Sequence, residues 1–216
     1  MRHLFAPRQS YSRAERLSDA VVHVTGLTLA LMAVPVLIVL TALFRGDLPS
    51  LFGVGVYSLA LVAMLGFSAL CNIYADSARA WLYQRLDHAA IYVKIAGTYT
   101  PFTLLTGQGI ALTVALWGAA LLGVVMKMIS PHRLRWLALG LYLGMGWAGV
   151  VAGQELLASL SWPVLVLMVV GGVIYTLGVV FYIATRLPFH TTIWHVFVLV
   201  ASLVFYAAVT VHVLTG

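Results

Sequence analysis

Seven long apolar stretches constrain the fold of this 216-residue chain more than any other feature of its sequence. They are bounded by charged residues or by Gly and Pro, and they fall at roughly 20–44, 50–74, 87–106, 110–127, 134–154, 162–185 and 192–214. A helix of about 20 residues crosses the hydrocarbon core of a bilayer, so each stretch is long enough to span it. Hydrophobic residues make up 62% of the chain and charged residues only 8%, which is far more apolar than a soluble domain requires. The sequence therefore predicts an all-α integral membrane protein, a bundle of seven transmembrane helices forming a single domain over residues 1–216.

The distribution of Lys and Arg predicts the orientation of this bundle. Segments on the cytoplasmic side of a membrane retain positive charge, and the hydrophilic arm at 1–18 and the alternate connections hold all but one of the basic residues outside the spans. The exception is Arg45. We therefore expect a cytoplasmic amino terminus and a carboxyl terminus outside. The net charge of +6 then reflects topology and anionic headgroups, and we expect no nucleic-acid partner. With the single cysteine Cys71, no intrachain disulfide can form.

Polar pairs occur at the cytoplasmic ends of four of the predicted helices. The pairs are Asp19 with His23, Ser68 with Asn72, Asp87 with His88, and Thr191 with His195. Three of the pairs are spaced four residues apart, so both members share a helix face. Taken singly, each pair is explained by a helix cap or by an interhelical hydrogen bond. Their convergence at one depth predicts a polar cavity that faces the cytoplasm.

Small residues recur at one-turn spacing in the fifth predicted span. Gly140 and Gly144 are four residues apart, as are Gly149 and Gly153. In membranes such spacing is typical of close helix packing, and we expect it here.

Several segments carry a resemblance to a known family. They read AERLSDAVVH at 14–23, RLDHAAIYVKIAGTYTPF at 85–102, LYLGMGW at 141–147, GGVIYTLGVVFY at 171–182 and IWHVFVL at 193–199. Together and in this order they resemble the hemolysin III family, the bacterial branch of the progestin and adipoQ receptors, which is more distantly similar to alkaline ceramidases. The resemblance covers nearly the whole chain and implies a seven-helix bundle with its amino terminus inside.

The resemblance also implies a zinc site, which this chain matches only in part. The wider superfamily holds zinc near the cytoplasmic face with a Ser-x-x-x-His motif on the second span and a His-x-x-x-His motif on the seventh, and a third-span aspartate contacts the water on the metal. Ser68, Asp87 and His195 match these positions, which makes Ser68 and Asp87 the candidate catalytic residues. Asn72 and Thr191 stand where the other two histidines would be. Because zinc sites normally use three or four good ligands, we expect no cofactor; a zinc ion, if present, would be held by Asp87 and His195.

Lys94 is a further departure from the family pattern. An ionisable residue within a span is costly and points to a functional site. Lys94 follows Asp87 by seven residues, on nearly the same helix face, and its stem would lean back toward the amino terminus. One hypothesis is that its ammonium replaces the zinc charge and is held by Asp87, Asn72 and Thr191. The alternative is that Lys94 extends to the cytoplasmic interface without a partner.

Three classes of function are compatible with these observations. The first is a non-catalytic protein of the bacterial cytoplasmic (inner) membrane that binds a lipid or an acyl chain and contributes to membrane homeostasis. The second is a zinc-dependent lipid amide hydrolase that resembles the alkaline ceramidases. The third, a light or ion device, is disfavoured because the last span contains no lysine.

We favour the first class, and the residues expected to line its cavity are His23, Ser68, Asn72, Asp87, Lys94, Thr191 and His195. The family name refers to cytolysis, but we do not expect this activity, because an integral helix bundle does not readily leave its own membrane to perforate another. The sequence identifies no protein partner.

Overall fold

Helices account for all the regular secondary structure in the part of the chain that the structure describes. The computed structural model describes residues 11–129 and 135–215. Within these ranges the helices are α1 (Arg13–Phe44), α2 (Leu48–Ile73), α3 (Ala80–Thr106), α4 (Ile110–Ile129), α5 (Arg135–Ala152), α6 (Gln154–Ser159), α7 (Trp162–Ile183) and α8 (His190–Thr215).

Six of these helices are long and apolar enough to cross a bilayer: α1, α2, α4, α5, α7 and α8. This confirms the prediction of a multi-pass, all-helical membrane protein. The remaining long helix is α3, which corresponds to the predicted third span. It has 27 residues, but Arg85, Asp87 and Lys94 lie within it, together with four threonines, and they lower its hydropathy.

The polar helix α3 lies at the centre of the bundle. It packs against α2, α4, α5, α6 and α8, and its residues 96–103 are all buried. The surrounding helices turn large apolar side chains outward; Leu43, Leu48, Leu59 and Val151 are each more than 70% exposed. This arrangement is reversed relative to a soluble protein, and it is the one expected when the solvent is lipid.

Helices α1 and α8 lie side by side and run parallel. Where both begin, the backbone N–H of Phe189 donates to Glu15 Oε1 at 2.9 Å. Where both end, Arg45 Nε donates to the carbonyl oxygen of Val213 at 2.9 Å. The described chain therefore enters and leaves the bundle at opposite ends.

The polar start of α1 is fixed by a capping box. The Ser12 hydroxyl accepts from the Glu15 backbone N–H, and the Glu15 carboxylate accepts from the Ser12 backbone N–H. These bonds satisfy amide groups that have no partner within the helix. As a result, α1 begins at Arg13, seven residues before the apolar stretch predicted at 20–44.

Candidate functional site

Helix α1 presents three ionisable side chains on one buried face. Glu15, Asp19 and His23 follow each other at four-residue spacing, which aligns them along the helix, and all three are buried. Asp19 and His23 retain only 8% and 4% side-chain exposure. Buried ionisable groups must find polar partners, so the neighbouring helices determine what this face can do.

The Asp19 carboxylate is the point where three helices meet. Its Oδ1 lies 2.6 Å from Nδ1 of His195 on α8. Its Oδ2 accepts a hydrogen bond from Nδ2 of Asn72 on α2 at 2.7 Å, and lies 3.6 Å from Nε2 of His23. The rings of His23 and His195 are 4.3 Å apart between centroids. We call Asp19, His23, Asn72 and His195 the Asp19 cluster.

The contacts within the Asp19 cluster define the chemical roles of its two histidines. An ionised carboxylate can only accept hydrogen bonds, so His195 donates from Nδ1 to Asp19 Oδ1 and, in its neutral form, carries no proton on Nε2. A carboxylate behind an imidazole is also the arrangement that orients histidine ligands in metal sites. Among the described residues, His23 Nε2 is buried without a hydrogen-bond partner. The cluster therefore holds one oriented imidazole and one whose buried Nε2 makes no hydrogen bond within the described part of the chain.

The structure brings together three of the residues predicted to line the cavity: His23, Asn72 and His195. Ser68 and Thr191 each lie one turn before a cluster residue, on α2 and α8, and both are half-buried. Asp87 is half-buried on α3, close enough to Tyr142 and Tyr182 to interact with them electrostatically.

Lys94 differs from the hypothesis in the direction of its side chain. Its Nζ donates to Thr98 Oγ1 at 2.7 Å, one turn deeper into α3 and away from Asp87. Nζ also lies 4.8 Å from the centroid of the Tyr57 ring and 5.8 Å from that of Phe205. The residue is buried, so it does not extend to the interface either. The proposed contacts of Lys94 with Asp87, Asn72 and Thr191 are thus wrong in this structure, where Asn72 donates to Asp19 instead.

The sequence pairs Asp19 with His23 but does not predict its central position in the site. Its four-residue spacing from His23 was visible, and the same spacing continues back to Glu15. The missing information was which helices face α1, because Asp19 gains its role from Asn72 on α2 and His195 on α8.

The ligand set that the resemblance implies for zinc does not fit this chain. That set needs imidazoles at positions 72 and 191, where this protein has Asn72 and Thr191. The Asn72 amide is already directed at the Asp19 carboxylate, and a neutral hydroxyl at 191 is a weak substitute for an imidazole. A different set of donors does come together: one donor atom from each of Asp19, His23 and His195, all within 4.8 Å of one another.

Comparison with known proteins agrees with the helical fold and with the segments identified in the sequence. Residues 12–206 match a family model described as Haemolysin-III related. The chain is 36% identical over 191 residues to the Hemolysin-3 homolog of Bacillus subtilis (strain 168), which covers 87% of this chain and 89% of that protein. It is 33% identical over 205 residues to Hemolysin-3 of Bacillus cereus, covering 93% and 92% respectively. The chain therefore belongs to the haemolysin III family of membrane proteins.

Proposed function

We propose that this protein is a seven-span protein of the bacterial cytoplasmic membrane that binds a membrane lipid, with the lipid's polar group at the Asp19 cluster and an acyl chain along an adjoining groove. The observation that carries the proposal is the position of that groove, whose lining residues begin one to two helical turns from the cluster residues on the same three helices. The cluster supplies hydrogen-bonding groups, and His195 retains 20% side-chain exposure through which a polar group can reach it.

The groove is formed by the same three helices as the cluster. Gly26 lies three residues after His23 on α1, Leu199 lies four residues after His195 on α8, and Leu65 lies one turn from Ser68 on α2. The remaining lining residues are Leu29, Ala30, Ala33, Leu61, Ser202, Leu203 and Tyr206. An almost entirely apolar groove close to a polar cluster suits the polarity of a lipid with one headgroup and one extended chain.

Retention of lipid by the purified protein tests this proposal. Gly26→Leu should fill the groove, because even a Cβ at this position would lie 3.1 Å from the Leu199 side chain. We expect native mass spectrometry to show lipid bound to the unmodified protein and at least about tenfold weaker retention by the variant, since each 1.4 kcal/mol of lost contact is a factor of ten.

Gly144→Leu is the matched control, because Gly144 faces open space on the exterior of α5. Melting curves would show that both variants fold. Equal lipid retention by the two variants, or no retained lipid in the unmodified protein, would contradict the proposal.

A second candidate function is a zinc-dependent hydrolase of lipid amides. The observation that favours it is the presence of one carboxylate and two imidazoles in the Asp19 cluster. A zinc ion in such enzymes activates water and polarises a carbonyl group. The residues of this chain would bind the lipid as described above, with its amide at the Asp19 cluster. Release of fatty acid from a long-chain ceramide by zinc-supplied protein would support this function, and no release would count against it.

A further inference from the structure

We infer that Asp19, His23 and His195 form a binding site for a divalent first-row transition metal, displaced from the positions that the family resemblance assigns to zinc ligands. This site uses two residues of α1 and one of α8, whereas the family positions lie on α2 and α8. The inference goes beyond lipid binding and does not depend on it.

The donor set suits such a metal. Imidazole nitrogens favour Zn²⁺, Co²⁺, Ni²⁺ and Fe²⁺, and a carboxylate adds the negative charge that a divalent ion needs in a buried site. Two imidazoles and one carboxylate are also a recurrent ligand set of metal sites that keep a position open for water or substrate.

The distances are close to those that an ion requires. With metal–nitrogen and metal–oxygen bonds of about 2.0–2.2 Å, donor atoms around a tetrahedral ion lie about 3.3 Å apart. Asp19 Oδ2 and His23 Nε2 are already 3.6 Å apart. His195 contacts Asp19 Oδ1 through Nδ1 at 2.6 Å. For Nδ1 to bind the same ion, it must release its proton and this contact must open, which a rotation of the two side chains can provide.

His23 supplies an independent observation. Its side chain is 4% exposed, and Nε2 is buried without a hydrogen-bond partner among the described residues while lying beside the Asp19 carboxylate. Buried polar atoms are nearly always paired, so an unpaired one directed at a carboxylate indicates a missing ligand. A metal ion would pair with both groups at once.

Asn72 has a supporting position in this site. Its Nδ2 donates to Asp19 Oδ2, which would hold the carboxylate in place while the metal binds. Groups that orient a ligand in this way change metal affinity by about 10–100-fold when they are removed.

Metal binding to the purified, chelator-treated protein tests the inference. The protein would carry an affinity tag free of histidine and would be titrated with Co²⁺ alone, whose visible absorption reports its ligands, and bound metal would be measured by elemental mass spectrometry. We expect about one ion per chain, and binding at least tenfold weaker for Asp19→Asn and for His23→Gln.

Two controls locate the site. His212→Gln removes a buried histidine at the other end of α8, and Asp87→Asn removes the carboxylate at the family position. Both variants should bind Co²⁺ as the unmodified protein does. Loss of binding in Asp87→Asn equal to that in Asp19→Asn would overturn the inference, as would substoichiometric binding to the unmodified protein.

A third variant keeps the inference testable if removal of a ligand prevents folding. Asn72→His replaces the supporting amide with an imidazole beside the carboxylate, and the additional nitrogen ligand should change the absorption spectrum of bound Co²⁺. An unchanged spectrum, or the absence of bound Co²⁺, in this variant would overturn the inference.

Discussion

At the scale of single residues, Lys94 shows how a cationic side chain can be accommodated inside a membrane bundle without a carboxylate. Its ammonium lies over the faces of two aromatic rings and donates to one hydroxyl group. Cation–π contacts compensate part of the loss of hydration, and they contribute most where water is excluded. Such contacts with Tyr57 and Phe205 do not restore the full hydration of an ammonium.

We therefore expect Lys94→Met to raise the melting temperature of the detergent-purified protein. The Thr98 hydroxyl also donates to the Lys94 backbone carbonyl at 2.7 Å, so it keeps a partner after the substitution. Even replacing a buried ion pair with well-packed apolar residues is often neutral or stabilising, by about 1–4 kcal/mol, and Lys94 has a hydroxyl and two rings in place of a counter-charge. Thermal unfolding followed by circular dichroism measures the change. Asn72→Leu is a control of opposite sign, because it removes a hydrogen bond from a buried carboxylate. A lower melting temperature for Lys94→Met would contradict this account.

The same residues show what could be predicted from the sequence at this scale. Spacing along one helix identified the polar pairs, and three cavity residues, His23, Asn72 and His195, do lie together. The direction of Lys94 could not be predicted, because a flexible four-carbon stem reaches the preceding or the following turn of its helix. Only the aromatic rings contributed by α2 and α8 decide between the two.

At the scale of secondary-structure elements, the glycines of α5 show the limits of a spacing rule. Gly149 packs closely: its backbone N–H donates to the Tyr99 hydroxyl at 3.1 Å, and an added Cβ would lie 2.9 Å from the Tyr99 ring. Gly140 and Gly144 have open space beside them, so the expected packing is wrong there. One-turn spacing places residues on one face, but it does not indicate whether that face meets a helix or lipid.

Alanine substitutions on α5 should separate these two environments. Gly149→Ala should destabilise the protein by about 1–3 kcal/mol, because the ring of Tyr99 must move to admit a methyl group. Gly144→Ala should be neutral or slightly stabilising, since alanine favours a helix and nothing obstructs it. Chemical unfolding in detergent micelles measures both differences. Similar stabilities for the two variants would show that α5 does not pack against α3 as described.

At the scale of the whole molecule, the parallel arrangement of α1 and α8 bears on the number of membrane crossings. Each connection between successive spans reverses the direction of the chain. The first and last spans therefore run parallel only if the number of reversals is even, which means that the number of spans is odd. Six apolar helices alone would make α1 and α8 antiparallel. Counting the polar helix α3 as a seventh span removes this conflict, and the burial of its residues 96–103 explains how it can cross without exposing polar groups to lipid.

The sides on which the two ends of α3 lie decide between six and seven crossings. In a Cys71→Ser background, Asp76→Cys and Gln108→Cys place one exposed thiol before and one after α3. We expect a membrane-impermeant thiol reagent applied to intact cells to label Gln108→Cys, and to label Asp76→Cys only after the membrane is permeabilised. The charge distribution agrees with this assignment, since Arg79 and Arg85 follow Asp76 and would lie on the cytoplasmic side.

Labelling of both thiols from the same side would mean that α3 does not cross, and the chain would then begin and end on one side of the membrane. That outcome would also contradict the arrangement that builds the Asp19 cluster, because the parallel pair of α1 and α8 requires an odd number of crossings.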